Sequence, residues 1–257
     1  MGRDNSYQRL YNSPWYATLF VELYRLYVNK NFLAYACRIL KDFYRRGGYT
    51  FYAIELPVLS LDKALKMAQM EQEQKEMRKL FVRHAGNIMQ IGLHYPVSEV
   101  NFEQSIVAPA ADILFQIYIL TKEQKYLDAG REHLRILEQF NGIQPDYHLY
   151  ETAIRHWDGY WFGKKKLYGD TFPHYWSALT GNVYTLYAYI TKDKRYAKRA
   201  EDSLRGVLPL FFTDGSASCA YVFPHSVNGK QASFYDPYAN DQDWGLYFNL
   251  RMINNAE

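Results

Sequence analysis

Residues 150–176 read YETAIRHWDGYWFGKKKLYGDTFPHYW and gather acids, imidazoles, cations and large flat rings in a segment with no steady apolar period. Carboxyls are plentiful: Glu103, Glu151, Asp158, Asp170 and Asp243 all fall in or beside long links between helical segments. Two carboxyls facing one glycosidic bond, about 5 Å apart for retention or about 6.5–9.5 Å for inversion, are what a glycoside hydrolase needs. Glu151, Arg155 and Asp158 are spaced i, i+4, i+7, so a helical stretch would align them on one face, where a structural ion-pair row is the plainer use of the same spacing. His156 and His174 bring imidazole, the side chain suited by type to general acid or base work near neutral pH. A lone histidine is as readily a hydrogen-bonded residue near a core. Trp157, Trp161, Trp176 and Trp244 also lie in or beside the links, where an exposed ring is costly unless something covers it; a pyranose face is one cover, and the domain's own mouth is another.

Other chemistries lack their residues. There is no Gly-rich phosphate loop, no GxSxG elbow, no CxxC and no HExxH. No cofactor is expected; a calcium ion held by carboxylates has no signature here. The chain has 257 residues, 48% of them hydrophobic, which is ample for a buried core. Net charge is +3, so neither nucleic acid nor a membrane surface is an expected partner, and Lys164–Lys166 read first as a solvated turn. Cys37 and Cys219 define no disulfide framework, and reduced thiols are expected. The first residues form no apolar signal segment, and the expected location is cytoplasmic, although an upstream signal would change that. Aromatic residues reach 18%, with 25 tyrosines, and tyrosine suits both helix packing beside a wet cavity and stacking on sugars.

The elements that must position these residues are helical hairpins. Three segments repeat one design: LYVNKNFLAYACRIL (26–40), YILTKEQKYLDAGREHL (118–134) and AYITKDKRYAKRAEDSL (188–204). Each joins an aromatic helix end to a second helix through a tight lysine-bearing turn, and repeats dictate architecture. Ser13 and Pro14 predict a helix start, and Gly47 and Gly48 a stop. Residues 61–91 predict one or two further helices with an exposed polar middle. Turns within hairpins are short, while the links 92–103, 141–173 and 211–241 are long, and long links in a compact domain are usually functional. YVFPHSVNGKQASFY predicts a β-hairpin about Asn228 and Gly229. The expected fold is all-α, an incomplete α/α toroid of helical hairpins with a small β-hairpin near the C-terminus. Residues 1–257 then form a single domain, a fragment or C-terminal part of a larger protein.

The hairpin arrangement resembles the six-hairpin group of carbohydrate-active α/α toroids. More narrowly, HYPVSEVNFEQSIVAPA (94–110) and ETAIRHWDGYWFGKKKLYGDTFPHYWSALTGN (151–182) resemble the exo-acting rhamnogalacturonan lyase family and its bacterial relatives. That resemblance implies β-elimination at a galacturonate residue of a pectin-type saccharide, on a toroid accompanied by β-sandwich domains of the same full-length protein. Elimination needs a cation for the uronate carboxylate, a base for the C5 proton and an acid for the leaving oxygen. Arg155 or a lysine of Lys164–Lys166 could be the cation, His156 or His174 the base, and Tyr175 or Tyr160 the acid. The alternatives are a hydrolase of the six-hairpin type, cleaving unsaturated uronyl ends, and a non-catalytic sugar-binding or scaffold domain.

Two placements follow. Asn101 and Glu103 are expected at the start of an inner helix facing the cavity, with the helix beginning near Ala108 or kinked there, because Pro109 lacks an N–H. The link 150–176 is expected to fold over the mouth and gather Glu151, His156, Asp158 and His174 around one concave site walled by Trp157 or Trp161.

Overall fold

The three repeated segments share one local rule, a left-handed residue at the turn between the helices. The computed structural model describes residues 10–95, 104–141, 151, 155–158, 168–172, 176–218, 221–223, 226–227, 230–231 and 243–255. Its helices are α1 (Asn12–Tyr27), α2 (Lys30–Arg45), α3 (Val58–Met67), α4 (Glu71–Ile91), α5 (Gln104–Thr121), α6 (Gln124–Leu137), α7 (Trp176–Thr191), α8 (Lys194–Arg205) and α9 (Asp243–Asn255). Its strands are β1 (Arg155–Asp158), β2 (Tyr168–Phe172), β3 (Tyr221–Phe223), β4 (Ser226–Val227) and β5 (Lys230–Gln231). At the α1–α2, α5–α6 and α7–α8 turns, Val28, Lys122 and Lys192 take φ of 54°, 63° and 59°. Their N–H groups donate to Tyr24, Tyr118 and Ala188 carbonyls at 2.7, 2.8 and 2.8 Å, satisfying orphan carbonyls at each helix end. Asn29 and Asp193 then cap α2 and α8 by accepting from Asn31 and Arg195 N–H.

Helix boundaries depart from the sequence pattern where backbone groups find other partners. The Ser13 N–H donates to the Leu10 carbonyl, so α1 starts earlier than the expected Ser13 cap, with Pro14 in a first turn whose N–H groups need no intrahelical partner. Residues 61–91 form two helices, broken at Ala68–Met70, where Gln69 is left-handed. Helix α5 runs through Pro109, so of the two expectations, a start near Ala108 or a kink there, the start is overturned. A mid-helix proline costs about 3 kcal/mol. Ile106, Val107, Ile113, Leu114, Phe115 and Ile117 are buried on the same helix, at about 1.5–3 kcal/mol each, and burial wins.

The described chain divides into two compact units, Met1–His133 and Leu134–Glu257. In the first, α1 packs on α2 and α3, α3 on α4, and α4 and α3 on α5, around Leu33, Leu40, Phe43, Leu61, Leu65, Phe81 and Phe115. By length and composition α5 could cross a bilayer, but 72% of it is buried inside the protein, as a core helix is. In the second unit, α7 pairs with α8, and α9 packs on both. Gly181 permits the α7–α8 approach: a Cβ there would lie 2.7 Å from Leu204 Cγ and 3.1 Å from the Ala200 carbonyl oxygen. The strands form a three-stranded antiparallel sheet in the order β1-β2-β3 and a separate two-stranded pair, β4-β5. Val227 pairs with Lys230, which leaves a two-residue turn as the sequence suggested, although Asn228 and Gly229 lie outside the described residues.

Two buried histidines hold the first unit together as neutral rings. His84 lies against the Tyr44 hydroxyl at 3.2 Å through Nδ1 and the Phe51 carbonyl at 2.9 Å through Nε2, and His133 Nδ1 meets the Tyr95 hydroxyl at 2.6 Å. Burial pushes both imidazoles down to about 4. Burial likewise pushes the Cys37 thiol up to about 11, so this sulfur stays a protonated core group.

Because both histidines have folded values below the unfolded ~6.5, the stability they contribute is present above pH 6.5 and is lost as pH falls toward 4. The thermal midpoint should therefore fall between pH 6.5 and 4.5, and the variant His84→Gln/His133→Gln should show a shallower fall; an unchanged slope would contradict the assignment. Gly181→Ala should cost about 1–3 kcal/mol in urea unfolding, since the added methyl meets backbone as well as side chain.

Candidate functional site

The opening stretch folds as strands rather than as a helix, and this reorders its chemistry. Antiparallel pairing of β1 with β2 sets Arg155 opposite Thr171, His156 opposite Asp170, Trp157 opposite Gly169 and Asp158 opposite Tyr168. Pairing of β2 with β3 continues the rows, with Phe223 opposite Asp170 and Val222 opposite Thr171. The two long links of the second unit are thus stitched into one sheet. The strand period of two assigns positions 156, 158, 168, 170, 172, 221 and 223 to one face, and 155, 157, 169, 171 and 222 to the other. The expected acid, base, acid row of Glu151, Arg155 and Asp158 does not form, because the i, i+4, i+7 spacing has meaning only on a helix. What forms instead is an imidazole-bearing and an acid-bearing position directly opposed, His156 and Asp170. Among directly paired residues a carboxylate can orient an imidazole and raise its basicity.

What fixes the start of this sheet is Glu151. It is 4% exposed, and Arg199 on α8 grips its carboxylate through Nε at 2.8 Å and Nη2 at 3.3 Å. Its backbone carbonyl accepts from Asn141 Nδ2 at 2.6 Å and from Ser203 Oγ at 2.9 Å. The residue sits at φ 56°, a left-handed conformation that a glutamate holds only under such constraint. Arg199 also donates to Glu138 and to the Tyr184 hydroxyl and lies over the Tyr184 ring at 4.5 Å, while the Tyr196 hydroxyl donates to Glu138 at 2.7 Å. Burial alone would push Arg199 down, but the bonds to Glu151 and Glu138 outweigh it and hold the guanidinium above its ordinary value. Burial raises Tyr184, and burial together with the bond to Glu138 raises Tyr196, so both phenols stay protonated, Tyr184 accepting from Arg199 and Tyr196 donating to Glu138. With its carboxylate committed to Arg199, Glu151 serves as the anchor of the link rather than as a free catalytic acid.

The remaining candidates divide between placed and undescribed. Trp176 is buried at the first turn of α7, so its ring belongs to the interior and not to a sugar-stacking surface. Asp243 opens α9 and is exposed, and Trp244 is half-buried, stacked on Phe248 at 5.5 Å. Asn101, Glu103, Tyr160, Trp161, His174 and Tyr175 lie outside the described residues. No cluster of three or more His, Cys, Asp or Glu positioned to hold a metal occurs among the described residues. Sequence reasoning missed Arg199, Glu138, Tyr184 and Tyr196. The signal was present in α8, whose Tyr196, Arg199 and Ser203 follow helical spacing on the side that α7 covers. It also missed Asn249, whose buried amide donates to the Leu204 carbonyl at 2.6 Å and ties α9 to the end of α8.

Comparison with known proteins places this arrangement in a class. An unsaturated glucuronyl hydrolase from Bacillus sp. GL1, responsible for glycosaminoglycan degradation, superposes with a TM-score of 0.59 over 97% of this chain and 74% of its own, at 11% identity. An α-1,6-mannanase from Salegentibacter sp. HEL1_6, solved with α-1,6-mannotriose, gives 0.57 over 97% of this chain and 72% of its own, at 12% identity. At such identities the likeness shows the fold alone, an all-α arrangement of helical hairpins. A solved polysaccharide lyase is 49% identical over 99% of this chain, with a TM-score of 0.88, and the chain spans 38% of that lyase's length. No protein-family model matches the chain, and no curated protein matches it.

Arg199→Met should leave Glu151 buried without its counter-charge and cost about 2–4 kcal/mol in urea unfolding, reduced from the fully buried case by the partial exposure of Arg199 and Glu138. Amide exchange in β1 and β2 should quicken in parallel. Glu151→Gln should cost less, since the amide oxygen still accepts from Arg199. An unchanged unfolding midpoint in Arg199→Met would remove the anchor from the account.

Proposed function

We propose that this chain is the helical-toroid portion of a polysaccharide lyase that cleaves an acidic, galacturonate-containing saccharide by β-elimination, in the manner of a rhamnogalacturonan exolyase. The observation that carries this reading is the 49% identity to a polysaccharide lyase over 99% of the chain. Because the chain spans 38% of that lyase, further domains of the same protein, β-sandwiches among them, are proposed partners in forming the complete enzyme. Pectin and rhamnogalacturonan as the particular polymer rest on the resemblance of residues 94–110 and 151–182.

The proposed chemistry uses the sheet and the segments around it. His156 takes the C5 proton of the uronate, the electron pair forms the C4–C5 double bond, and the C4–O bond breaks with a proton supplied to the leaving oxygen. The opposition of His156 and Asp170 in the register supports His156 as base, since a carboxylate partner sets the tautomer and stabilises the imidazolium. His174 is the second candidate base, and Tyr175 or Tyr160 the acid. Arg155 or a lysine of Lys164–Lys166 neutralises the uronate carboxylate, which makes the C5 proton removable. Trp157 and Trp161 are proposed stacking walls for sugar rings, and Asp243 and Trp244 at the start of α9 are further candidates for substrate contact. The second reading, a hydrolase of the six-hairpin type, is favoured by the fold shared with the glucuronyl hydrolase and would use Asp158 and Asp170 as its carboxyl pair.

Incubating the protein with oligogalacturonate and rhamnogalacturonan fragments separates these readings. Elimination yields an unsaturated product absorbing in the near ultraviolet; hydrolysis yields new reducing ends without that absorbance. His156→Ala should lower turnover about 100-fold or more with little change in thermal midpoint. If His156→Ala and His174→Ala both retain full activity in a protein that eliminates, neither imidazole is the base or acid.

A further inference from the structure

In the first unit, the C-terminal end of α1 and the face of α3 bound an open groove of about 270 Å³ lined by Arg25, Val28, Ser60, Lys63, Ala64 and Met67, with Tyr24. This lies just under the ~300–1,000 Å³ of sites for drug-sized ligands, so one sugar-sized ring fits it better than a chain. The charge of its lining is one-sided, with two cations and no carboxylate. Arg25 shares a nitrogen with Glu22 at 3.0 Å, whereas among the described residues no carboxylate lies within the 4.0 Å of an ion pair with the exposed Lys63. Asp62, its neighbour on α3, is occupied by Arg78.

The apolar part of the lining is equally uneven. Val28 is 73% exposed and Met67 68% exposed, both on the groove rim. Val28 also occupies the left-handed turn position that carries a lysine at the two equivalent turns, Lys122 and Lys192. A β-branched residue is the poorest choice for that conformation, so its presence asks for a use of the apolar side chain at this point. Two cations, a hydroxyl from Ser60, and an apolar rim describe a site for a ring that has a carboxylate, hydroxyls and a C–H face.

We propose that this groove, none of whose lining residues belongs to the β1-β2-β3 sheet, binds a single hexuronate, the acidic sugar unit of the saccharide. Lys63 and Arg25 meet the carboxylate, Ser60 meets a ring hydroxyl, and Val28, Ala64 and Met67 cover the ring face. The choice of a uronate over other small carboxylates rests on the acidic-saccharide reading given above; the groove's preference for a carboxylate does not.

The test follows the Met67 methyl group by NMR in protein labelled at methionine methyls, with Met67→Leu assigning the signal. Titration with galacturonate should shift it saturably, with a Kd on the order of millimolar. Galactose, which lacks the carboxylate, should leave it in place. Lys63→Ala should weaken binding tenfold or more, and Lys63→Arg should restore part of it, while both keep the circular-dichroism spectrum of the parent. No saturable shift with galacturonate overturns the proposal, as does an equal shift with galactose. A shift with cyclohexanecarboxylate but none with galacturonate overturns the sugar assignment. A shift that follows protein concentration without added sugar assigns the groove to contact between copies, and the proposal falls. Since the readout is binding at Met67, a protein that binds galacturonate here yet shows no turnover separates failure of the lyase reading from failure of the groove.

Discussion

The grip of Arg199 on Glu151 is the interaction on which the second unit depends. One end of a long polar link enters the fold at Glu151, held by a charge pair that is largely dehydrated, with the Glu151 carbonyl accepting from Asn141 and Ser203 as well. A buried pair of this kind gains little over apolar packing of the same volume, and its worth lies in specificity. It accepts one backbone conformation at residue 151, left-handed, and so sets the direction in which the chain leaves toward β1. From there the β1-β2 register follows by pairing, and β3 brings in the second long link. Tyr184 and Tyr196 enclose the guanidinium and give its charge an aromatic face as well as carboxylates.

A similar economy operates in the first unit. Helix α5 is buried on nearly every side, and of the three buried polar residues it carries, Gln104, Asp112 and Gln116, the last two bond to one another while Gln116 also reaches Leu56 and the first turn of α3. Gln116 donates to the Leu56 carbonyl at 3.2 Å and accepts from the Leu59 N–H at 3.1 Å. An apolar residue at 116 would pack as well but would leave those backbone groups dry and unpaired. The neutral histidines His84 and His133 serve in the same way, each turning a ring nitrogen toward a tyrosine hydroxyl.

The same helical scaffold carries a polysaccharide lyase, an unsaturated glucuronyl hydrolase and an α-1,6-mannanase. Hairpin packing therefore says nothing about bond chemistry, which belongs to the links between hairpins. In this chain those links are where acids, imidazoles and tryptophans concentrate, and where the one described sheet of three strands forms.

The helices were legible in the sequence because their information is local. Apolar residues at helical spacing, the turn at Asn29 or Asp193 and the stop at Gly47 act within a few residues of themselves, and the three repeated segments announced three turns of one geometry. The β-hairpin near Ser226–Gln231 was legible for the same reason. Pro109 misled because its cost is local, whereas the burial that overrides it comes from α3 and α4. The candidate site was half legible. Residue types named the right stretch, yet spacing suggested a helical row, because nothing inside residues 151–158 reveals that residues 168–172 and 221–223 lie alongside. Only tertiary structure could set His156 opposite Asp170, take Glu151 out of the free acids and bury Trp176, since each outcome depends on a partner 14 or more residues away, as Asp170 from His156, Arg199 from Glu151 and Asn141 from Ser203 are.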